Sequence, residues 1–248
     1  MSRRATRRHG IRPAAPGIMR RVPSLPDRAV VARTLPFAVF MLLLALRGAA
    51  PADGSWGFDP RWLYGATVLV VGALLWLFRH EYGELARQNA PTGRETALAV
   101  AVGLAVFWLW IRLDAPWMTL DLGDAPAFVP LDAAGAPVWP LVAVRWIGAA
   151  LLVPVMEELF WRSFLMRWLQ TPRFTALAPQ AVGLRAVVLS TFVFVLAHTL
   201  WLAAAIAGLA YALLYIRTGR LWVPVIAHAV TNGALGVWVV ATGQWQFW

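Results

Sequence analysis

The 248-residue sequence has no cysteine, which removes disulfides, thiolate nucleophiles and cysteine-ligated metals from consideration. Lysine is missing as well, so all 22 positive charges are arginine, against 12 acids and a net charge of +10. Charge of either sign is scarce. Only 14% of residues are charged and 60% are hydrophobic, where a soluble domain is about a quarter charged and nearer half apolar. Water is therefore not the main solvent of this chain. A strongly basic balance also fits a nucleic-acid binder, but these arginines stand at the ends of apolar blocks and in the N-terminal stretch, a membrane-topology pattern.

The apolar blocks occupy about 34–50, 62–78, 96–112, 139–161, 186–201, 203–216 and 221–241. Most approach the roughly 20 residues that carry a helix across a ~30 Å hydrocarbon layer. The expected fold class is all-α, a single polytopic transmembrane helical bundle of about seven spans over residues 34–248. Residues 1–33 hold nine arginines, several prolines and too few large apolar residues for a core, and read as a basic, flexible cytoplasmic arm. The basic start and small-residue end of the first block also fit a signal peptide; the long arm and the six blocks that follow favour an uncleaved anchor.

The connections alternate in charge, as cytoplasmic and external loops do. The arm is basic, 51–61 carries Asp53 and Asp59 with one arginine, and 79–95 carries Arg79, Arg87 and Arg94. Residues 113–138 contain four aspartates and no arginine, 162–185 contain Arg162, Arg167, Arg173 and Arg185, and Arg217 and Arg220 mark the last basic turn. The N-terminus is expected inside and the C-terminus outside, with Trp245 and Trp248 in the interfacial aromatic belt. Ala204, Gly208 and Ala212 form a small-residue face for close helix packing. No internal repeat of the transporter kind is present.

Ionisable side chains inside spans cost ~2.5 to 3.5 kcal/mol each on insertion scales and so are functional candidates. Glu157 and Glu158 fall in the fourth block, His198 in the fifth and His228 in the seventh. At ~1.5 Å per helical residue from the nearest cytoplasmic arginine, Glu157 lies ~15 Å deep, His198 ~20 Å and His228 ~12 Å. The three are expected to share one site opening toward the cytoplasm. Glu158 and Arg162 are four apart and predict a bonded pair that lowers the cost of burying either charge. Glu157 faces elsewhere without a sequence-local partner, as suits a general base raised by desolvation. His228 and Asn232, also four apart, present an imidazole and an amide on one face, able to donate to an oxyanion. Phe194 is expected to shape the site wall, and Pro154 to kink the helix before Glu157. The bland alternative is interhelical glue, which four polar groups meeting at one depth argue against.

In order and on separate helices, Glu157-Glu158-x-x-x-Arg162, Phe194-x-x-x-His198 and His228-x-x-x-Asn232 resemble the three motifs of the CAAX-protease and bacteriocin-processing (CPBP) family of intramembrane endopeptidases. The resemblance covers about residues 140–241. ELFWRSFLMRWL, AGLAYALLYIRTGRLW and the ending ATGQWQFW also resemble the CAAX prenyl protease-related branch associated with exosortase systems. It implies a multi-pass protein of a bacterial inner membrane, acting on a protein or peptide substrate, with exosortase-system proteins as partners and no nucleic acid. It further implies hydrolysis without a cofactor. Glu157 and His198 would activate a water, His228 and Asn232 would stabilise the oxyanion, and Glu158 and Arg162 would brace the site. Two other readings stand beside it. One is a zinc hydrolase in which Glu157, His198 and His228 supply the three protein ligands of a catalytic Zn²⁺. The other is a non-catalytic membrane scaffold or regulator.

Overall fold

The computed structural model describes residues 27–51, 55, 57–120 and 127–248. Most of the expected arm, and Asp53, Asp121 and Asp124, lie outside the described residues. Among the described residues seven helices follow one another: α1 (Arg28–Gly48), α2 (Leu63–Leu77, entered through the 3₁₀ turn Pro60–Trp62), α3 (Gly93–Trp110), α4 (Trp139–Trp168), α5 (Leu184–Leu196), α6 (Trp201–Thr218) and α7 (Trp222–Thr242). No strand occurs among the described residues, beyond an isolated bridge between Leu131 and Pro137. Six of the helices are long and apolar enough to cross a membrane, and α5, with 13 residues, is not. The expectation of seven spans thus resolves into six full ones and a short seventh. Outward-facing leucines and tryptophans such as Leu69, Trp76 and Leu184 remain exposed, as lipid-facing side chains do in a bundle whose solvent is hydrocarbon.

Helix boundaries follow local chemistry. The Asp27 side chain accepts from the Ala29 N–H and caps α1; α3 opens on a reciprocal capping box between Thr92 and Glu95. Gly219, at φ +69°, takes the left-handed conformation that ends α6. The start of α1 at Arg28 corrects the arm boundary, because residues 28–33 are helical. Arg33 explains the shift: it is buried, and it donates to Glu84, to Ser163 Oγ at 2.8 Å and to the Glu81 carbonyl at 2.9 Å.

The connections gather at two ends, in the division that the charge alternation predicts. At the near end, where α1 begins, Arg220 reaches the Ala90 carbonyl, Trp222 reaches the Leu85 carbonyl, and Glu84 meets Arg33 and Arg167. At the far end, Arg61 donates to the carbonyls of Val129 and Leu131, and the Phe128 N–H donates to the Trp248 carbonyl. Between the ends, α3 and α7 cross closely at Gly103, where a Cβ would overlap the Ala227 carbonyl and the Val230 side chain.

Candidate active site

The site is built on α4, which is not a uniform α-helix. Gly148–Leu152 and Leu159–Leu165 are π-helical, and the α-helical stretch Val153–Glu158 lies between them. Such widened turns concentrate at functional sites because they re-aim side chains and free carbonyls. Pro154 contributes directly, by leaving a backbone carbonyl without its helical partner. It has no N–H to offer the carbonyl five residues earlier in the π register, and that carbonyl, of Ala149, instead accepts from Asn232 Nδ2 at 2.9 Å. A proline on one helix thereby fixes an amide on another.

Glu158 is fully buried. One of its oxygens, Oε1, accepts from Arg162 Nη1 at 3.0 Å and from His228 Nδ1 at 2.9 Å. The pair expected from the four-residue spacing is present, and the bond to His228 was not expected. Arg162 also donates to the Gly208 carbonyl at 3.2 Å and lies over the Phe194 ring at 4.8 Å. The small-residue face of α6 therefore does more than pack: at Gly208 it lets Thr191 and Phe194 of α5 approach and exposes a carbonyl to the guanidinium.

Glu157 does face away from this network, but not without a local partner. Trp161, four residues on, donates from Nε1 to its Oε2 at 3.3 Å, leaving Oε1 uncommitted. His198 corrects another expectation, for it lies in the turn after α5 and not within a span. At ~1.5 Å per residue the 13-residue helix rises only ~20 Å, so its end stays inside the bundle. The turn is covered by the far-end loop, with the Leu120 N–H donating to the Thr199 carbonyl at 2.7 Å and Trp201 Nε1 to the Trp117 carbonyl at 3.0 Å. Irregular backbone at membrane depth is tolerated where protein satisfies it in this way. His198 Nδ1 is 2.7 Å from the Phe194 carbonyl. A carbonyl only accepts, so Nδ1 carries the proton and Nε2 is left as an acceptor.

Glu157, His198, His228 and Asn232 all line one cavity of about 260 Å³, together with Phe194 and Tyr211. The four residues singled out by motif spacing are thus brought together by three separate chain segments, α4, the turn after α5, and α7. Tyr211 was missed. Its ring stacks on His228 with centroids 5.1 Å apart, and its hydroxyl donates to Thr231 Oγ1 at 2.7 Å. A lone tyrosine in a span carries no spacing signal, whereas Trp161 was open to the same four-residue rule that identified Arg162. Arg145, inside the fourth apolar block and also lining the cavity, was missed although a charge in a span is a signal in itself.

A metal reading needs three ligands converging on one point. Among the described residues no group of three or more His, Asp or Glu side chains is arranged to hold a metal ion. His228 Nδ1 is held by Glu158 and His198 Nδ1 by the Phe194 carbonyl, which leaves Nε2 as the remaining ring nitrogen of each.

Residues 139–234 match a family model described as Type II CAAX prenyl endopeptidase Rce1-like. The matched stretch runs from the start of α4 into α7 and contains all seven motif residues, from Glu157 to Asn232. It supports the CPBP resemblance and, with the apolar helices, a multi-pass membrane protein similar to CAAX-type proteases. No curated protein and no solved structure matches the chain.

Proposed function

We infer that the cavity hydrolyses a peptide bond with a water activated by Glu157 and His198. The observation that carries this is the pair of free acceptors the geometry leaves in one cavity: Glu157 Oε1, with Oε2 held by Trp161, and His198 Nε2, with Nδ1 held by Phe194. Two acceptors hold the two protons of a water and aim its lone pair at a carbonyl. Glu157 takes one proton as the water oxygen bonds to the carbonyl carbon, and later returns it to the departing amine as the C–N bond breaks. Asn232 spends one amide N–H on Ala149 and keeps the other for the oxyanion. His228 donates Nδ1–H to Glu158, so its Nε2 donates only when the ring is an imidazolium, and Glu158 at 2.9 Å stabilises that cation. Arg162 holds Glu158 in place from the other side.

In this reading the substrate is a membrane-associated or membrane-delivered protein. The protein resides in a bacterial inner membrane with its near end in the cytoplasm. The motif stretch of the exosortase-associated branch supports a place beside that sorting machinery. Terminal-peptide mass spectrometry of membranes from cells carrying the parent protein or Glu157→Gln tests the activity. New N- or C-termini should appear with the parent alone; identical terminal peptides in both would remove the protease reading.

A further inference from the structure

The bond to Glu158 does not by itself set the plane of the His228 ring. It fixes Nδ1 at 2.9 Å from Oε1, but a ring held by one bond still swings about that bond, and the terminal torsion of a histidine is broad. Hydrolysis needs more, because Nε2 has to face the cavity for an oxyanion to meet it.

Tyr211, on α6, supplies the second constraint. It is 1% exposed, and its ring lies against the His228 ring with centroids 5.1 Å apart and planes inclined by only 22°, within the range that aromatic pairs prefer. The same ring faces the Arg162 guanidinium at 5.4 Å. Arg162 and His228 are the two donors to Glu158 Oε1. One aromatic side chain therefore backs both partners of the buried carboxylate.

The Tyr211 ring is itself fixed at its tip. Its hydroxyl donates to Thr231 Oγ1 at 2.7 Å, and Thr231 shares its own proton between the Gly103 carbonyl at 2.9 Å and the Ala227 carbonyl at 3.0 Å. Thr231 lies between His228 and Asn232 on α7, and Gly103 marks the close crossing of α3 and α7. The hydroxyl chain thus ties α6 to α7 and α3 at the turn that carries the oxyanion pair. Each buried polar group in it has a partner, the condition under which such a network rigidifies its surroundings.

We propose that Tyr211 is a positioning residue for the hydrolysis: its ring sets the plane of the His228 imidazole, and its hydroxyl chain locks that ring to the turn bearing His228 and Asn232. The catalytic consequence rests on the hydrolytic reading, whereas the orientation of the ring does not. A tyrosine that merely fills the core between α6 and α7 makes a different prediction, for its loss would do the same harm whether or not His228 is present.

Two readouts on the full-length protein in detergent separate these roles. The first needs no substrate. In ¹⁵N-histidine-labelled protein the ring N–H of His228, assigned by its loss in His228→Gln, should exchange slowly with water in the parent and in Tyr211→Phe, which keeps the ring. In Tyr211→Leu it should exchange at least ~10-fold faster. The second readout is the single-turnover rate on the peptide identified from membrane termini. Tyr211→Leu should lower the rate at saturating peptide by roughly 10- to 100-fold, the scale of a small misplacement of a reacting group, with the half-saturating concentration unchanged. Tyr211→Phe should keep most of the rate. In a His228→Ala background the same Tyr211→Leu change should cost less than about twofold, because a residue that acts through His228 has nothing left to position. Equal losses in both backgrounds, an unchanged rate in Tyr211→Leu, or exchange as slow in Tyr211→Leu as in the parent overturns the proposal. Failure of the hydrolytic reading appears separately, as a parent that leaves membrane termini unaltered, while the exchange rates still report on the ring.

Discussion

Arginines at the two ends of the bundle are treated in opposite ways. At the near end Arg33 and Arg167 share Glu84, at 2.7 and 3.6 Å, with Ser163 and Tyr215 completing the network. Arg167 keeps one unpartnered Nε, but its charge is matched. At the far end Arg47 and Arg145, each partly exposed, stand over the Phe128 ring, and among the described residues no carboxylate pairs with either. Cost decides what the difference means: a fully buried charge needs its partner, whereas a partly exposed guanidinium lays its stem and one face on apolar rings and keeps other N–H groups for solvent. The centre of the site combines both conditions, with Glu158 doubly partnered and Glu157 held by a single indole N–H beside it.

The largest effect on stability should come from Arg162→Ala. It leaves the fully buried Glu158 carboxylate with His228 alone and should cost ~3 to 5 kcal/mol, the usual loss on breaking such a pair. Thermal unfolding in detergent measures it. Replacing both partners, Glu158→Gln with Arg162→Gln, should recover most of that stability but not activity, because His228 loses the carboxylate that supports its charged form. If the single variant melts like its parent, the partnered half of the comparison fails.

Next in size is Glu84→Gln, which leaves Arg33 and Arg167 without their shared acid and should cost ~3 kcal/mol. Burial raises the Glu84 pKa, yet the charge of Arg33 and the hydrogen bonds from Arg33 and Ser163 outweigh it and hold the carboxyl below its ordinary 4.5. A depressed carboxylate stabilises fully above the unfolded value and loses that contribution as pH falls through the folded one. The parent should therefore lose stability below about pH 4.5 more steeply than Glu84→Gln; parallel acid limbs would remove Glu84 from the account.

Arg47→Gln and Arg145→Gln should have the smallest effect on stability. Each is only partly buried and forfeits cation–π contact of about 1 kcal/mol. A loss from either as large as that of Glu84→Gln would mean that the far-end arginines are structural after all, and the contrast between the ends would disappear.

Much of the architecture was legible in the sequence because hydrocarbon imposes length and polarity on each span. The helices, the division of loops between two ends and the Glu158–Arg162 pair all follow from counting along one chain segment. What escaped depends on contacts between segments. That Glu158 serves His228, and that the Ala149 carbonyl serves Asn232, requires α4 and α7 to be adjacent and α4 to widen at Pro154. His198 was assigned to a helix because the apolar run continues to Trp201, although α5 stops at Leu196 where the loop at 116–120 takes over its backbone bonds. Arg145 shares its apolar block with Glu157 and Glu158, and was overlooked beside them because it has no partner at helical spacing.

The central claim is that Glu157 serves as the base for a water. The most direct measurement is the single-turnover rate of the purified protein on the peptide identified from membrane termini, for the parent and Glu157→Gln, before and after prolonged chelation. Glu157→Gln should fold and insert normally but cleave ~10² to 10⁴-fold more slowly, the range of general-base catalysis, with the chelated parent fully active. Unchanged cleavage by Glu157→Gln would show that the site is misplaced. Loss of parent activity on chelation, restored by one equivalent of Zn²⁺, would contradict the mechanism and make Glu157, His198 and His228 ligands.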